Sequence, residues 1–513
     1  MEIIVKRLRV SLPVAAAASV LLALSAPAVS AVQAAAGMTP SIERGPKAAP
    51  AHVHAAPGYG LFNCQIGLST GQCYDPYQMR HAYGIDALIS AGFTGSGRTV
   101  VIVDAFQSPN IVSQLNTYDS FYGLPGLNGL GNPNDPSLGT FTQVAPDGLT
   151  PFVPGDANMT GWAEEISLDV LWAHAIAPGA NVTLVLAKTN NDSDILSATK
   201  YAVDHNLGDV LSQSFGENEN CVDPQILSDE HNVFSQATRK GWTIFASSGD
   251  QGAAQQTCDG NSWTQVVSSP ASDPLVTGVG GTELHAADYC LTQQGCDPST
   301  HPTPGTYQTE IVWNEGPTGD FQSSFAQTEA TGGGYSGLFG EPAYQKSSIH
   351  GKQRGVPDVS YNAAILHGVL TYLDIPGVPT GYYRFGGTSA GSPQWSALIA
   401  IADQKAGKDL GFINTSLYHL SNSGKKYAAA FFDITSGNND SIRLDSSNNP
   451  VSIDGFDAGP GWDATTGLGS PDAVALVKDL IQTSNNGNGT AAIAGSRPRP
   501  HADRPGHGHQ HPH

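Results

Sequence analysis

Five short apolar runs constrain this chain more than any other feature. They are "TVVIVDAF" (Thr99–Phe106), "NVTLVLA" (Asn181–Ala187), "DVLSQSFG" (Asp209–Gly216), "WTIFASSGD" (Trp242–Asp250) and "PLVTGVGG" (Pro274–Gly281). Unbroken apolar runs of this length, rich in β-branched residues, suit strands covered on both faces. Helical patterns lie between several of them, such as "SDILSATKYAVDH" and "DEHNVFSQATRKG". Strand, helix and strand in repetition predict an α/β fold, a doubly wound, mostly parallel sheet with helices on both faces. In such sheets the reactive groups gather at the carboxyl ends of the strands.

The flanks differ in character. Lys6, Arg7 and Arg9 precede "VSLPVAAAASVLLALSAPAVSA", which reads as a secretory signal over residues 1–31 with cleavage near Ala31 or Ala34. Residues 32–75 are rich in Ala, Pro, His and Gly with little periodicity, and are expected to be a linker or short pro-segment. The main domain is expected over 76–481, and 482–513 reads as a disordered His- and Pro-rich tail. Acidic residues outnumber basic ones by 45 to 24, which argues against a nucleic-acid partner. No later run is long and apolar enough to suggest stable membrane association. Six cysteines in an exported chain suggest disulfides, and spacing favours Cys64–Cys73 and Cys290–Cys296, leaving Cys221–Cys258.

The chemistry centres on "RFGGTSAGSPQW" (Arg384–Trp395). Ser389 follows a glycine pair at the start of a helix, where substrate backbone can approach and negative charge is favoured. A serine nucleophile needs a base. The order Asp, His, Ser offers Asp104 and His174, but the neighbours of His174 (Trp172, Ile176 and Ala177) suggest packing. The helix "GWAEEISLDVLWAHA" offers Glu165 and Asp169, four residues apart and so within about 40° of one another. His174 falls on roughly the opposite side, and Glu164 points about 100° away.

Glu-x-x-x-Asp on a helix before "AHAIAPGA", then "SSGD", then "GGTSAGSP", resembles the sedolisin family of serine-carboxyl peptidases, which share the subtilisin fold. The resemblance runs from about Tyr77 to Leu480. It implies Ser389 as nucleophile, Glu165 as its base, Asp169 as the acid holding that base, and Asp250 in the oxyanion hole. A carboxyl group stabilises an oxyanion only when protonated, and paired carboxylates share a proton, so the resemblance implies an acid optimum of about pH 3–5. The spacing of "FFDITSGNND" and "DAGPGWDATTGLGSP" is similar to the family's calcium site. That implies one structural Ca²⁺ held by Asp433 and Asp463 with the carbonyls of Ile434, Gly459 and Gly461. "SQSFG" and "GGGYS" (Gly332–Ser336) stand where family members pair extended substrate.

The expectation is therefore a secreted, monomeric, acid-acting serine endopeptidase with polypeptide substrates. The alternatives are a tripeptidyl-peptidase of the same chemistry, a protease using Asp104, His174 and Ser389, and a non-catalytic binding protein on the same scaffold.

Overall fold

A computed structural model describes residues 37–50, 62–66, 71–131, 134–287, 305–317, 327–349 and 351–485. All five apolar runs enter one sheet of eight strands. Its parallel part runs Phe141–Val144, Asn181–Ala187, Thr99–Ala105, Val210–Gln213, Thr243–Ser247 and Thr277–Ala287. Along its length the last strand pairs in parallel with Val359–Asn362 and antiparallel with Thr306–Val312. The run "DVLSQSFG" divides at Ser214: its second half leaves the sheet and forms a separate strand, Phe215–Asn218.

Two helix pairs flank the sheet, as doubly wound connections require. Helix Ala157–Ile176 packs on the central strand Thr99–Ala105 and against helix Gly391–Ala406. Helices Asp192–Asp204 and Pro224–Arg239 form the other pair. The first helix is buried on every side from Trp162 to Ile176. That explains why its apolar residues show no stripe, since a helix without a wet face needs none. Glu165 and Asp169 therefore do not lie on a solvated helix face; both are 0% exposed.

A second sheet joins Glu43–Lys47, Gly381–Gly386, His367–Leu373 and Gln72–Tyr74 in that order. Part of the stretch expected to be linker is thus in regular structure, paired by backbone bonds that need no apolar periodicity. Cys64 bonds to Cys73 and Cys221 to Cys258, as the spacing suggested. Cys290 and Cys296, the residues 1–31 expected to be a signal and the tail beyond 485 lie outside the described residues. Among the described residues no helix is long and apolar enough to cross a membrane.

Candidate active site

Ser389 sits where the smaller sheet hands the chain to a buried helix. Strand Gly381–Gly386 ends, Gly387 turns with φ +92°, and a short turn Thr388–Ala390 leads into Gly391–Ala406. The positive φ and the crowding both require glycine: a Cβ on Gly387 would lie 2.4 Å from the Ser41 carbonyl oxygen and 2.5 Å from Asp250 Oδ2.

The serine Oγ donates to Glu165 Oε2 at 2.9 Å and also lies 3.0 Å from the Ser214 carbonyl. The other Glu165 oxygen and both Asp169 oxygens are buried with no basic partner, and Asp169 also borders Ser214. Burial, then the charge of Asp169, then that of Asp104, holds the Glu165 carboxyl well above its usual range. Asp169 is pushed up to about 8 by burial. Asp104 ends the central strand, is fully buried, and is raised by burial and by Asp169. Two unit charges ~4 Å apart at an effective dielectric of ~20 repel by ~4 kcal/mol, so three such carboxyls must keep protons between them.

Asp250 follows strand Thr243–Ser247 through Gly249, whose φ is +108°. Its Oδ1 accepts from the Thr388 amide and hydroxyl, each at 2.8 Å, which aims Oδ2 away from Thr388. Burial raises this carboxyl to about 7 against the lowering effect of those two bonds. Asp250 Oδ2 and the Ser41 carbonyl oxygen, which accepts from the Ser389 amide, both border Gly387 and so lie near one point.

That point is filled by the chain itself. Thr39 and Pro40 pair antiparallel with Gly216 and Phe215, and the Ser41 amide donates to the Ser214 carbonyl at 3.1 Å. The Ser41 carbonyl in turn accepts from the Ser389 amide at 2.9 Å. No sequence signal marks this segment, because its contacts are made by backbone. The glycine-rich "GGGYS" behaves otherwise. Cβ atoms on Gly332 and Gly333 would lie 2.1 Å from the Ser248 carbonyl oxygen and 2.0 Å from that of Ala464, so these glycines serve close packing within the body.

His174 is not part of this group. It is fully buried, with Nε2 at 2.8 Å from the Pro125 carbonyl and 3.2 Å from Asp119. Asp104, set beside it in the alternative reading, faces Asp169 instead. Glu164 turns to Arg44, 2.5 Å away. Near the C-terminus, Asp433 and Asp463 converge on one loop. The Gly461 amide meets Asp433 at 3.1 Å and the Gly459 amide meets Asp463 at 3.2 Å. Two carboxylates around a glycine loop are a hard-oxygen donor set, which fits calcium in kind. The Ile434 side chain is buried beside them.

A serine hydroxyl bonded to a buried carboxylate, with two more buried carboxyls close by, is an arrangement that a serine peptidase can use. Comparisons agree on that class. The Subtilase family profile matches residues 155–416. The chain is 31% identical to kumamolisin of Bacillus sp. (strain MN-32) over 436 residues, covering 83% of this chain and 67% of that protein. It is 32% identical to sedolisin of Pseudomonas sp. (strain 101) over 297 residues, 56% of this chain and 43% of that one. It thus spans about two thirds of the first relative's length and under half of the second's. The solved Pseudomonas sedolisin, complexed with two molecules of pseudo-iodotyrostatin, superposes with a TM-score of 0.62 at 27% identity, covering 82% of this chain and all of that one. The chain belongs to the sedolisin family of serine peptidases.

Proposed function

We propose that this chain is a secreted endopeptidase that works in acid through an acyl-enzyme on Ser389. The observation that carries the reading is the 2.9 Å bond from Ser389 Oγ to Glu165, to which no imidazole of the described residues is bonded. Glu165, ionised at the cost of a proton held on Asp169 or Asp104, takes the hydroxyl proton as Oγ attacks the carbonyl carbon. Charge growing on the carbonyl oxygen meets the Ser389 amide and protonated Asp250. Glu165 then returns the proton to the leaving amine, and water repeats the sequence on the ester.

Endopeptidase action is favoured over tripeptide release by the course of residues 37–47. Four residues, Met38 to Ser41, lie on the acyl side of the serine, and Met38 is held through its amide by the Asn190 carbonyl at 3.0 Å. The strand continues on the other side through Glu43–Lys47. A cleft that passes chain in both directions suits internal bonds. The test is hydrolysis of an unfolded protein from pH 3 to 8: products of mixed internal length in acid support the reading, and release of tripeptides alone or activity confined to alkali overturns it.

Calcium belongs to the same proposal. Asp433 and Asp463, with carbonyls of Ile434, Gly459 and Gly461, would hold one ion that ties the loop at 459–463 to the segment at 433–434. The ion supplies positive charge to two carboxylates and takes no part in the chemistry. Chelator treatment should lower the melting temperature, and Asp433→Ala should lower it without further response to chelator. An unchanged melting curve on chelation removes calcium from the account.

A further inference from the structure

The large sheet and the small one meet at a cluster of three side chains that peptide hydrolysis leaves unused. Glu283 and His285 stand two residues apart on Thr277–Ala287, and so on one face of that strand. His367 opens the strand His367–Leu373 of the smaller sheet. His285 Nε2 and His367 Nδ1 each lie 3.1 Å from Glu283 Oε1, and the three ligand atoms fall within 4.8 Å of one another. The two imidazole rings meet edge to face with centroids 4.7 Å apart.

The backbone beneath the cluster is tied across the two sheets. Asn362, fully buried, accepts from the Leu284 amide at 3.0 Å and donates to the His367 carbonyl at 2.8 Å. Gln72 pairs with His367 in the smaller sheet, and its Nε2 donates to the Ala286 carbonyl at 3.3 Å. The Tyr74 hydroxyl donates to the Leu284 carbonyl at 2.7 Å. The residues adjoining Glu283 and His285 are therefore fixed relative to His367 by bonds in which the three side chains take no part. Ligands carried on rigid strands and braced in this way are what a metal site requires.

Glu283 and His367 are 3% and 6% exposed, while the His285 side chain is 37% exposed. A carboxylate withdrawn from water needs positive charge or several donors. Among the described residues no lysine or arginine forms an ion pair with Glu283. Two imidazoles can each offer it an N–H but bring no fixed charge, whereas one divalent ion satisfies all three side chains together. Tetrahedral zinc holds nitrogen and oxygen ligands at ~2.1 Å, which sets them ~3.4 Å apart. The 3.1 Å spacings from Glu283 would open by ~0.3 Å to meet this. The spacing between the imidazoles, at most 4.8 Å, closes by rotation of the more exposed His285. Two imidazoles and a carboxylate suit zinc, while calcium and magnesium take oxygen ligands. We propose that Glu283, His285 and His367 hold one Zn²⁺, with water as fourth ligand on the open side of His285, and that the ion staples the large sheet to the small one.

The test uses the full-length chain with the tail residues His501, His507, His509, His511 and His513 replaced by alanine, so that the tail contributes no ligand. Each protein is stripped with chelator, given excess calcium and titrated with zinc at about pH 7.5, where imidazole is neutral. Competition with a chromophoric chelator should show one more tight zinc equivalent in this protein than in the same protein carrying His285→Ala or His367→Ala. Cobalt in place of zinc should give the visible bands of a tetrahedral ion in the first protein and in neither variant. Zinc should also raise the melting temperature of the first protein alone. Every readout is of binding, so none depends on activity at Ser389. His285→Ala removes a partly exposed side chain, which keeps the test open if His367→Ala fails to fold. Equal zinc counts in the three proteins, or cobalt bands that survive His285→Ala, overturn the proposal and reduce the cluster to a carboxylate bonded by two imidazoles.

Discussion

Replacing Ser389 by alanine is expected to lower kcat on a peptide substrate by ~10⁴-fold or more, the usual cost of removing a nucleophile that acts in concert with its base. Glu165→Gln should cost nearly as much, because an amide keeps the shape but cannot take the proton from Oγ, 2.9 Å away. Combining the two should add little, since neither residue works without the other. His174→Ala should leave kcat/KM within a few-fold. Its effect should fall on stability, because the substitution removes the bond to Pro125 and the contact with Asp119 inside the core and leaves a gap of an imidazole's size. Hydrolysis of a peptide at pH 4, measured on folded variants, checks all four proteins. Full activity after loss of Glu165, or abolition by His174→Ala in a folded protein, would restore imidazole to the mechanism.

The fold was legible because its strongest sequence signal comes from burial. Asn181–Ala187 is a strand over the expected residues, since a run buried on both faces leaves no alternation to misread. The pair Glu165 and Asp169 was legible from helical spacing, but its meaning was not. At i and i+4, two acids on a wet face and two acids in a core look alike, and only the absence of a wet face on Ala157–Ile176 separates them. Asp104 carried a partial signal, an acid closing an apolar strand, but spacing cannot show that Asp169 lies across from it. The cleft segment at Met38–Ser41 left no trace of this kind. Its bonds to Ser214, Gly216 and Ser389 are made mainly by backbone, and almost any side chains could have made them. The zinc-like cluster was hidden for a related reason, because His367 lies far along the chain from Glu283 and His285 and joins them through sheet topology.

Asp250 gives the sharpest pH signature. Its Oδ1 is taken by Thr388 and its Oδ2 has no partner; in the proposed mechanism Oδ2 serves the oxyanion, which it can do only while it carries a proton. With its carboxyl raised to about 7, the donor is in place throughout the acid range and is lost as pH rises past that value. Asp250→Asn keeps an acceptor for Thr388 and presents an N–H where Oδ2 stood, at every pH. The ratio of variant to wild-type rate should therefore climb about tenfold from pH 5 to pH 8, as the wild type loses its donor. Asp250→Ala should instead be slower by roughly 10²–10³ in acid, the cost of one missing oxyanion donor. The same carboxyl bears on stability. A folded-state value above the unfolded one of about 4 means that its contribution is whole below about pH 4 and disappears as pH rises through about 7. Asp250→Asn should accordingly flatten part of the fall in melting temperature between those limits. If its rate falls along the same curve as the wild type, the Glu165–Asp169–Asp104 group sets the alkaline limit and Asp250 is not the donor.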